Sequence, residues 1–235
     1  MSLSITWLGH STFLIGTPGG QRVVVDPWLG NPTCPRAFAR PDALGRLDLI
    51  LVTHGHPDHI GDLVAVAKAS RAPVVCAYEL GRYIEAKGVT GVHDMGVGGT
   101  QDVAGLRVTM VPAVHSSGFI EDGGGITYLG VAAGFVVRQA GMPTVYIAGD
   151  TALFGDMKLI KDLYLPDIAF LPIGDHYTMG PDTAAVAARW LGVRQVVPMH
   201  YGTFPVLRGT PDELRKNLAG TEIEVLELKP GETAE

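Results

Sequence analysis

Three histidines and one aspartate fall within six positions of this chain, in Thr53-His54-Gly55-His56-Pro57-Asp58-His59-Ile60-Gly61. Imidazole and carboxylate together suit zinc, manganese or iron. Gly55 and Pro57 punctuate the segment, which reads as a tight loop and not as a regular helix or strand. Such a loop can turn His54 and His56 toward one cation, and Asp58 and His59 toward another. The chain has only 8 His. A merely solvated polar loop leaves their clustering unexplained.

A catalytic cation takes about three protein ligands and keeps one position open. Four side chains therefore do not complete two sites. Three further residues stand where an apolar run stops and polar sequence begins. His115 follows the run at 108–111, Asp150 lies in Gly149-Asp150-Thr151 after 145–148, and His200 follows Val196-Val197-Pro198-Met199. In layered α/β folds, ligands bind beyond the carboxyl ends of strands. Each residue alone reads equally as a hydrogen-bonded loop residue. With the cluster, they supply the missing ligands.

Short strands must carry these residues. Runs at 5–8, 13–15 and 23–25 read as strands, with Gly19-Gly20 as a turn between the last two. Residues 49–52 form a continuous β-prone run, suited to a buried strand directly before the cluster. Helical character at 63–70, a strand at 74–77 and a helix at 79–86 follow. Further strands are expected at 108–111, 134–137, 145–148, 168–171, 196–197 and 223–228. Helices are expected at 157–163, 183–191 and 213–218, with Pro181 and Pro211 near helix starts. Two sheets packed face to face with helices outside would bury this many short strands. A single domain spanning 1–235 suits the length.

The composition, 46% apolar and 18% charged, is that of a globular chain. A net charge of -6 gives bulk nucleic-acid binding no electrostatic support. Two cysteines, Cys34 and Cys76, make no disulfide framework and read as reduced, small buried hydrophobes. The N-terminal residues lack a basic stretch followed by an apolar one. Apolar windows such as 131–137 are too short to span a bilayer. The expectation is a cytoplasmic protein with a small-molecule substrate and neither a nucleic-acid nor a membrane partner.

The order H-x-H-x-D-H, then a lone His, a lone Asp and a final His, resembles the metallo-β-lactamase superfamily over nearly the whole chain. The segments Trp7-Leu8-Gly9-His10-Ser11-Thr12, Gly174-Asp175-His176-Tyr177-Thr178-Met179-Gly180-Pro181 and Pro198-Met199-His200-Tyr201-Gly202-Thr203 narrow the likeness. They resemble a branch of small metal-dependent hydrolases, similar to ascorbate-phosphate lactonases and more distantly to N-acyl-phosphatidylethanolamine phospholipases. The resemblance implies an αββα four-layer sandwich with two mixed sheets. It implies two divalent cations, zinc first, with manganese, nickel or iron as alternatives. His54, His56 and His115 would hold one; Asp58, His59 and His200 the other; Asp150 would bridge them. Asp26 would support the site from behind, or is simply a turn residue before Pro27. Relatives of this branch often self-associate, so a homo-oligomer is compatible with the resemblance.

On this reading a metal-bridged hydroxide attacks a small ester, lactone or phosphodiester, and Asp58 orients it or carries a proton. His10 and His176 are candidate catalytic residues, binding an anionic group or protonating a leaving group, or else structural turn histidines. His93 reads as a surface residue. Asp175 stands where relatives often have a small residue. Residues 116–128, with Asp122-Gly123-Gly124-Gly125, form either a substrate lid or an ordinary hairpin. Tyr201 and Phe204 line the entrance or pack the core. The alternatives are a nuclease-like phosphodiesterase and a non-catalytic metal- or ligand-binding protein. A di-iron redox enzyme is disfavoured, because His56 stands where that pattern has Glu and no flavin domain is present. Class-B lactamases are usually exported, and no export signal is visible.

Overall fold

The computed structural model describes residues 2–121 and 123–235; Met1, and Asp122 of the glycine-rich stretch, lie outside the described residues. The first half supplies strands β1 (Ser4–Trp7), β2 (Phe13–Gly16), β3 (Arg22–Val25), β4 (Leu49–Leu51), β5 (Val74–Ala77) and β6 (Val92–Met95). The second supplies β7 (Thr100–Val103), β8 (Leu106–Pro112), β9 (Gly118–Ile120), β10 (Ile126–Tyr128), β11 (Ala133–Arg138), β12 (Val145–Ile147), β13 (Ile168–Pro172), β14 (Gln195–Met199) and β15 (Glu224–Val225). A last strand, β16 (Thr233–Ala234), returns to the first sheet. One sheet has the order β16-β1-β2-β3-β4-β5-β6 and the other β15-β14-β13-β12-β11-β8-β7, while β9 and β10 form a separate ribbon.

Both sheets are mixed in the same way. Strands β1 to β3 are antiparallel and β3 to β6 parallel. Strands β7, β8, β11 and β12 are antiparallel and β12 to β15 parallel. The period-2 alternation of a strand sorts side chains to two faces. Phe13, Ile15, Val23, Val25, Leu49 and Leu51 point into the core shared with the second sheet. There Phe13 meets Phe170 edge-on at 4.9 Å. Their neighbours Leu14, Val24 and Ile50 face the other way, onto the helices α2 (Leu63–Ser70) and α3 (Tyr78–Ala86). The helices α4 (Met157–Tyr164) and α5 (Pro181–Leu191) add Met157, Ile160, Ala184 and Leu191 to the second sheet's packing. The layers are therefore helix, sheet, sheet, helix: the αββα sandwich.

Several expectations need correction. The His-rich segment is not loop throughout, because Pro57–Ile60 makes one helical turn. Proline is tolerated at the first helical position, where its missing N–H has no partner to lose. Helix α5 begins at Pro181, and a further helix spans Pro211–Asn217 with a Thr210–Glu213 capping box. Strand β6 escaped notice because Val92-His93-Asp94-Met95 has no apolar alternation. His93 is half-buried there, 3.3 Å from Gln101. Cys76 is buried, but Cys34 only half so. The expected strand at 223–228 shrinks to Glu224–Val225. No helix among the described residues is long and apolar enough to cross a membrane.

The shared directions of β1, β3 and β4, and of β8, β12 and β14, bring six strand ends to one edge. If the two-sheet core holds that edge together, Phe13→Ala should cost about 3–5 kcal/mol. Urea denaturation with an unchanged m-value would measure it; a loss below about 1 kcal/mol would contradict the packing.

Candidate metal centre

His10, Asp26 and His54 follow β1, β3 and β4; His115, Asp150 and His200 follow β8, β12 and β14. The single turn after His56 adds Asp58 and His59. These side chains converge. His54 Nε2 lies 3.0 Å from His56 Nδ1, and His115 Nε2 lies 3.3 Å from that same atom. On the other side, His200 Nε2 is 3.7 Å from Asp58 Oδ2. Between the two sets sits one oxygen, Asp150 Oδ2. It is 2.9 Å from His200 Nε2, 3.3 Å from His59 Nε2, 3.7 Å from His115 Nε2 and 4.0 Å from His54 Nε2.

Outer partners fix the rings. Asp26 accepts Thr53 N–H at Oδ1 (2.8 Å), and at Oδ2 both the Thr53 hydroxyl (2.7 Å) and His59 Nδ1–H (2.8 Å). Because Thr53 donates to Asp26, its oxygen accepts from His54 Nδ1–H at 3.0 Å. His54 Nε2 therefore presents a lone pair to the cluster. This is the arrangement by which a carboxylate or hydroxyl orients a metal-binding imidazole. Asp26 thus does more than turn the chain before Pro27.

The donor set fits divalent cations. Three groups can each surround an ion: His54, His56 and His115; His54, His59 and Asp150; and His10, Asp58, His59 and His200. Asp150 Oδ1 and His59 Nε2 are buried with no hydrogen-bond partner among the described residues. Buried polar atoms are costly when unpartnered, and a cation at either place would satisfy them.

Residues 21–201 match the family described as the beta-lactamase superfamily domain. This chain belongs to the metallo-β-lactamase superfamily. It is 50% identical to a UPF0173 metal-dependent hydrolase of Koribacter versatilis, over 98% of this chain and 97% of that one. A UPF0173 metal-dependent hydrolase of Methanopyrus kandleri is 46% identical, over 99% and 100% respectively. Among solved structures, Igni18, a metallo hydrolase from Ignicoccus hospitalis, superposes with a TM-score of 0.87 at 34% identity, covering 100% of this chain and 98% of that one.

In this superfamily member, close approach depends on two glycines. A Cβ on Gly149 would stand 2.7 Å from Thr53 Cβ, and one on Gly174 2.0 Å from the His200 carbonyl oxygen. Any side chain there would push the Asp150 or His200 loop off the site. Asp26, His10 and His200 themselves adopt left-handed φ values of 44°, 52° and 55°, a cost that surrounding structure must sustain.

Burial opposes charge throughout the cluster. It would raise the Asp150 carboxyl, yet His200 and His59 hold it well below the usual carboxylate range. Burial would lower His59, but Asp150 and Asp26 hold it well above its ordinary value. His200 is likewise pushed up to about 9, burial being overcome by Asp150 and then Asp58. For His54 burial followed by His59 outweighs the opposing Asp150 charge and holds the ring well below its ordinary value. Burial also lowers His56 and His115.

Not every expected residue joins the cluster as expected. His10 is fully buried, and its Nε2 lies 3.1 Å from Asp58 Oδ2. His176 is exposed and packs edge-on against Tyr177; it makes no hydrogen bond, ion pair or ring contact with the cluster among the described residues. Its neighbour Asp175 is exposed as well. Tyr201 stacks on Trp7, and Phe204 packs against His10 and Trp28. Within the 116–128 segment, Gly118–Ile120 and Ile126–Tyr128 pair as an antiparallel ribbon. Sequence reasoning gave no role to Thr53, Thr203, Ser116 or Ser117. Thr53 stands directly before His54 at a strand end, which is a readable signal; Thr203, three residues after His200, is not so marked. Ser117, accepting Gly55 N–H at 3.1 Å across 62 residues, has none.

Two outcomes follow. Asp26→Asn keeps volume and tolerates left-handed φ, but must turn an N–H toward one of three donors. Cobalt affinity by equilibrium dialysis should fall about 10- to 100-fold; an unchanged value would contradict the Asp26 assignment. Because His200 holds its proton below about pH 9, cation uptake by chelator-stripped protein at pH 7 should release protons, and less so as pH rises past that value. Calorimetric titration in buffers of different ionisation enthalpy reads this directly, and zero release at pH 7 would contradict it.

Proposed function

We propose that this protein is a hydrolase using two divalent cations to cleave a small ester, lactone or phosphodiester. The observation that carries the reading is the place of Asp150 Oδ2, within 4.0 Å of ring nitrogens from both histidine sets. A carboxylate there can bridge two cations, with His54, His56 and His115 on one side and Asp58, His59 and His200 on the other. Zinc suits these donors first; manganese, nickel and iron are alternatives. When bound, such a pair supplies Lewis acidity and brings the ionisation of a water toward neutrality.

The chain's own residues do the rest. His54, His59, Asp150 and His200 are buried, while His56, Asp58 and His115 are half-buried. Substrate therefore reaches the centre from the side of the latter three. Asp58 keeps 26% of its side chain exposed while Oδ2 stays with His10. It can orient the attacking water or accept its proton. Ser116 Oγ, 3.2 Å from His56 Nε2, offers a hydroxyl at the same rim. A net charge of -6 and a rim of His56, Asp58, His115 and Ser116 support a small molecule over a nucleic acid as partner.

The test is a panel of p-nitrophenyl esters, lactones and bis-p-nitrophenyl phosphate, assayed with zinc- or cobalt-loaded and chelator-stripped protein. Turnover should vanish on stripping and return with the cation. Asp150→Ala and His54→Ala should both fall to background while circular dichroism stays native. Undiminished turnover in both variants would reject the assignment. Stoichiometric cation binding with no hydrolysis across the panel would favour a binding protein on the same fold.

A further inference from the structure

His10 enters the cluster from the N-terminal end of the chain, in the turn Gly9-His10-Ser11-Thr12 after β1. It touches two of the proposed ligands. Its Nε2 lies 3.1 Å from Asp58 Oδ2, and its carbonyl accepts the His200 backbone N–H at 3.1 Å. Its other ring nitrogen, Nδ1, lies 2.8 Å from Thr203 Oγ1. The edges of Trp28 and Phe204 pack against the ring, with centroids 5.2 and 5.7 Å away. Nothing in these contacts leaves His10 free to meet substrate.

The hydrogen bonds admit one arrangement of protons for a neutral ring. A carboxylate only accepts. Nε2 must therefore carry the proton given to Asp58, and Nδ1 accepts from the Thr203 hydroxyl. The Asp58 carboxylate selects the tautomer, and the Thr203 hydroxyl satisfies it by turning its proton to Nδ1 at 2.8 Å in preference to the Tyr201 carbonyl at 3.4 Å. Without the donor, Asp58 keeps rotamer freedom at the half-exposed rim of the centre. A ligating carboxylate that is not held binds its cation less tightly.

We propose that His10 is a positioning residue: its Nε2–H holds the Asp58 carboxylate in the orientation that completes a cation site with His59 and His200, and the Thr203 hydroxyl supports that donation by pairing with Nδ1. The inference rests on the two-cation reading above.

A double-mutant cycle tests it, with cobalt affinity read by competition against a chromophoric chelator. His10→Ala should weaken the cation held by Asp58 about 10- to 100-fold. In an Asp58→Ala background the same change should cost less than about threefold, since coupled residues are non-additive. His10→Gln, whose amide N–H reaches as far as Nε2, should bring affinity back to within about fivefold of the parent. A purely structural role would not be rescued in this way. Unchanged affinity in His10→Ala would overturn the proposal. So would an equal loss with and without Asp58, which would make His10 a direct ligand or a packing residue. Should His10→Ala not fold, Thr203→Val carries the same cycle, with a loss of about fivefold expected; parent affinity there would overturn the relay. A parent chain binding one cobalt would reject the two-cation reading, while the coupling between His10 and Asp58 is judged on that one cation.

Discussion

One buried oxygen, Asp150 Oδ2, governs this structure. An ionised carboxylate away from water is tolerable only when paired and hydrogen-bonded. Here four imidazoles from three loops gather round it, His54, His59, His115 and His200. The group that must be neutralised is also the group that lies between the two histidine sets. Gly149, which has no Cβ to strike Thr53, lets the Asp150 loop press against the His54 segment. Structural and chemical demands meet at the same atom.

The sandwich makes that meeting possible. Each sheet opens with antiparallel strands and continues with parallel ones. The consequence is that β1, β3 and β4 of the first half and β8, β12 and β14 of the second end at one edge. The first half delivers its candidate ligands on one contiguous stretch, His54 to His59; the second delivers His115, Asp150 and His200 singly from three strand ends. Around them lie outer partners: Thr53 and Asp26 pair with the rings of His54 and His59, and His10, itself paired with Thr203, meets the Asp58 carboxylate. Three residues in this region bear left-handed backbone, which is where strain is expected if geometry, and not stability, is being served.

Much of this was legible in the sequence. The residues that converge could be read because metal chemistry demands rare residue types at strand ends, and His54-Gly55-His56-Pro57-Asp58-His59 is dense enough to stand out. The continuous apolar runs at 13–15, 23–25 and 49–52 reported their strands because each buries one face on the other sheet and the other on helices. Strand β6 was hidden, since a half-buried edge strand with His93 and Asp94 carries no apolar period. The one-turn helix at Pro57 was hidden too, because proline reads as a breaker and also opens helices. The fate of His10 and His176 could not be separated from sequence. Both stand a few residues beyond strand ends, and only tertiary contact decides which is buried against Asp58 and which faces outward.

Several side-chain roles depend on cations flanking the Asp150 carboxylate. Crystals of the metal-loaded protein, measured at the absorption edge of the added ion, locate those cations most directly. The account requires two anomalous peaks about 3.5–4 Å apart, one beside His54, His56 and His115, the other beside Asp58, His59 and His200, with Asp150 Oδ2 between them. A single peak, or a pair lying away from Asp150, would contradict it.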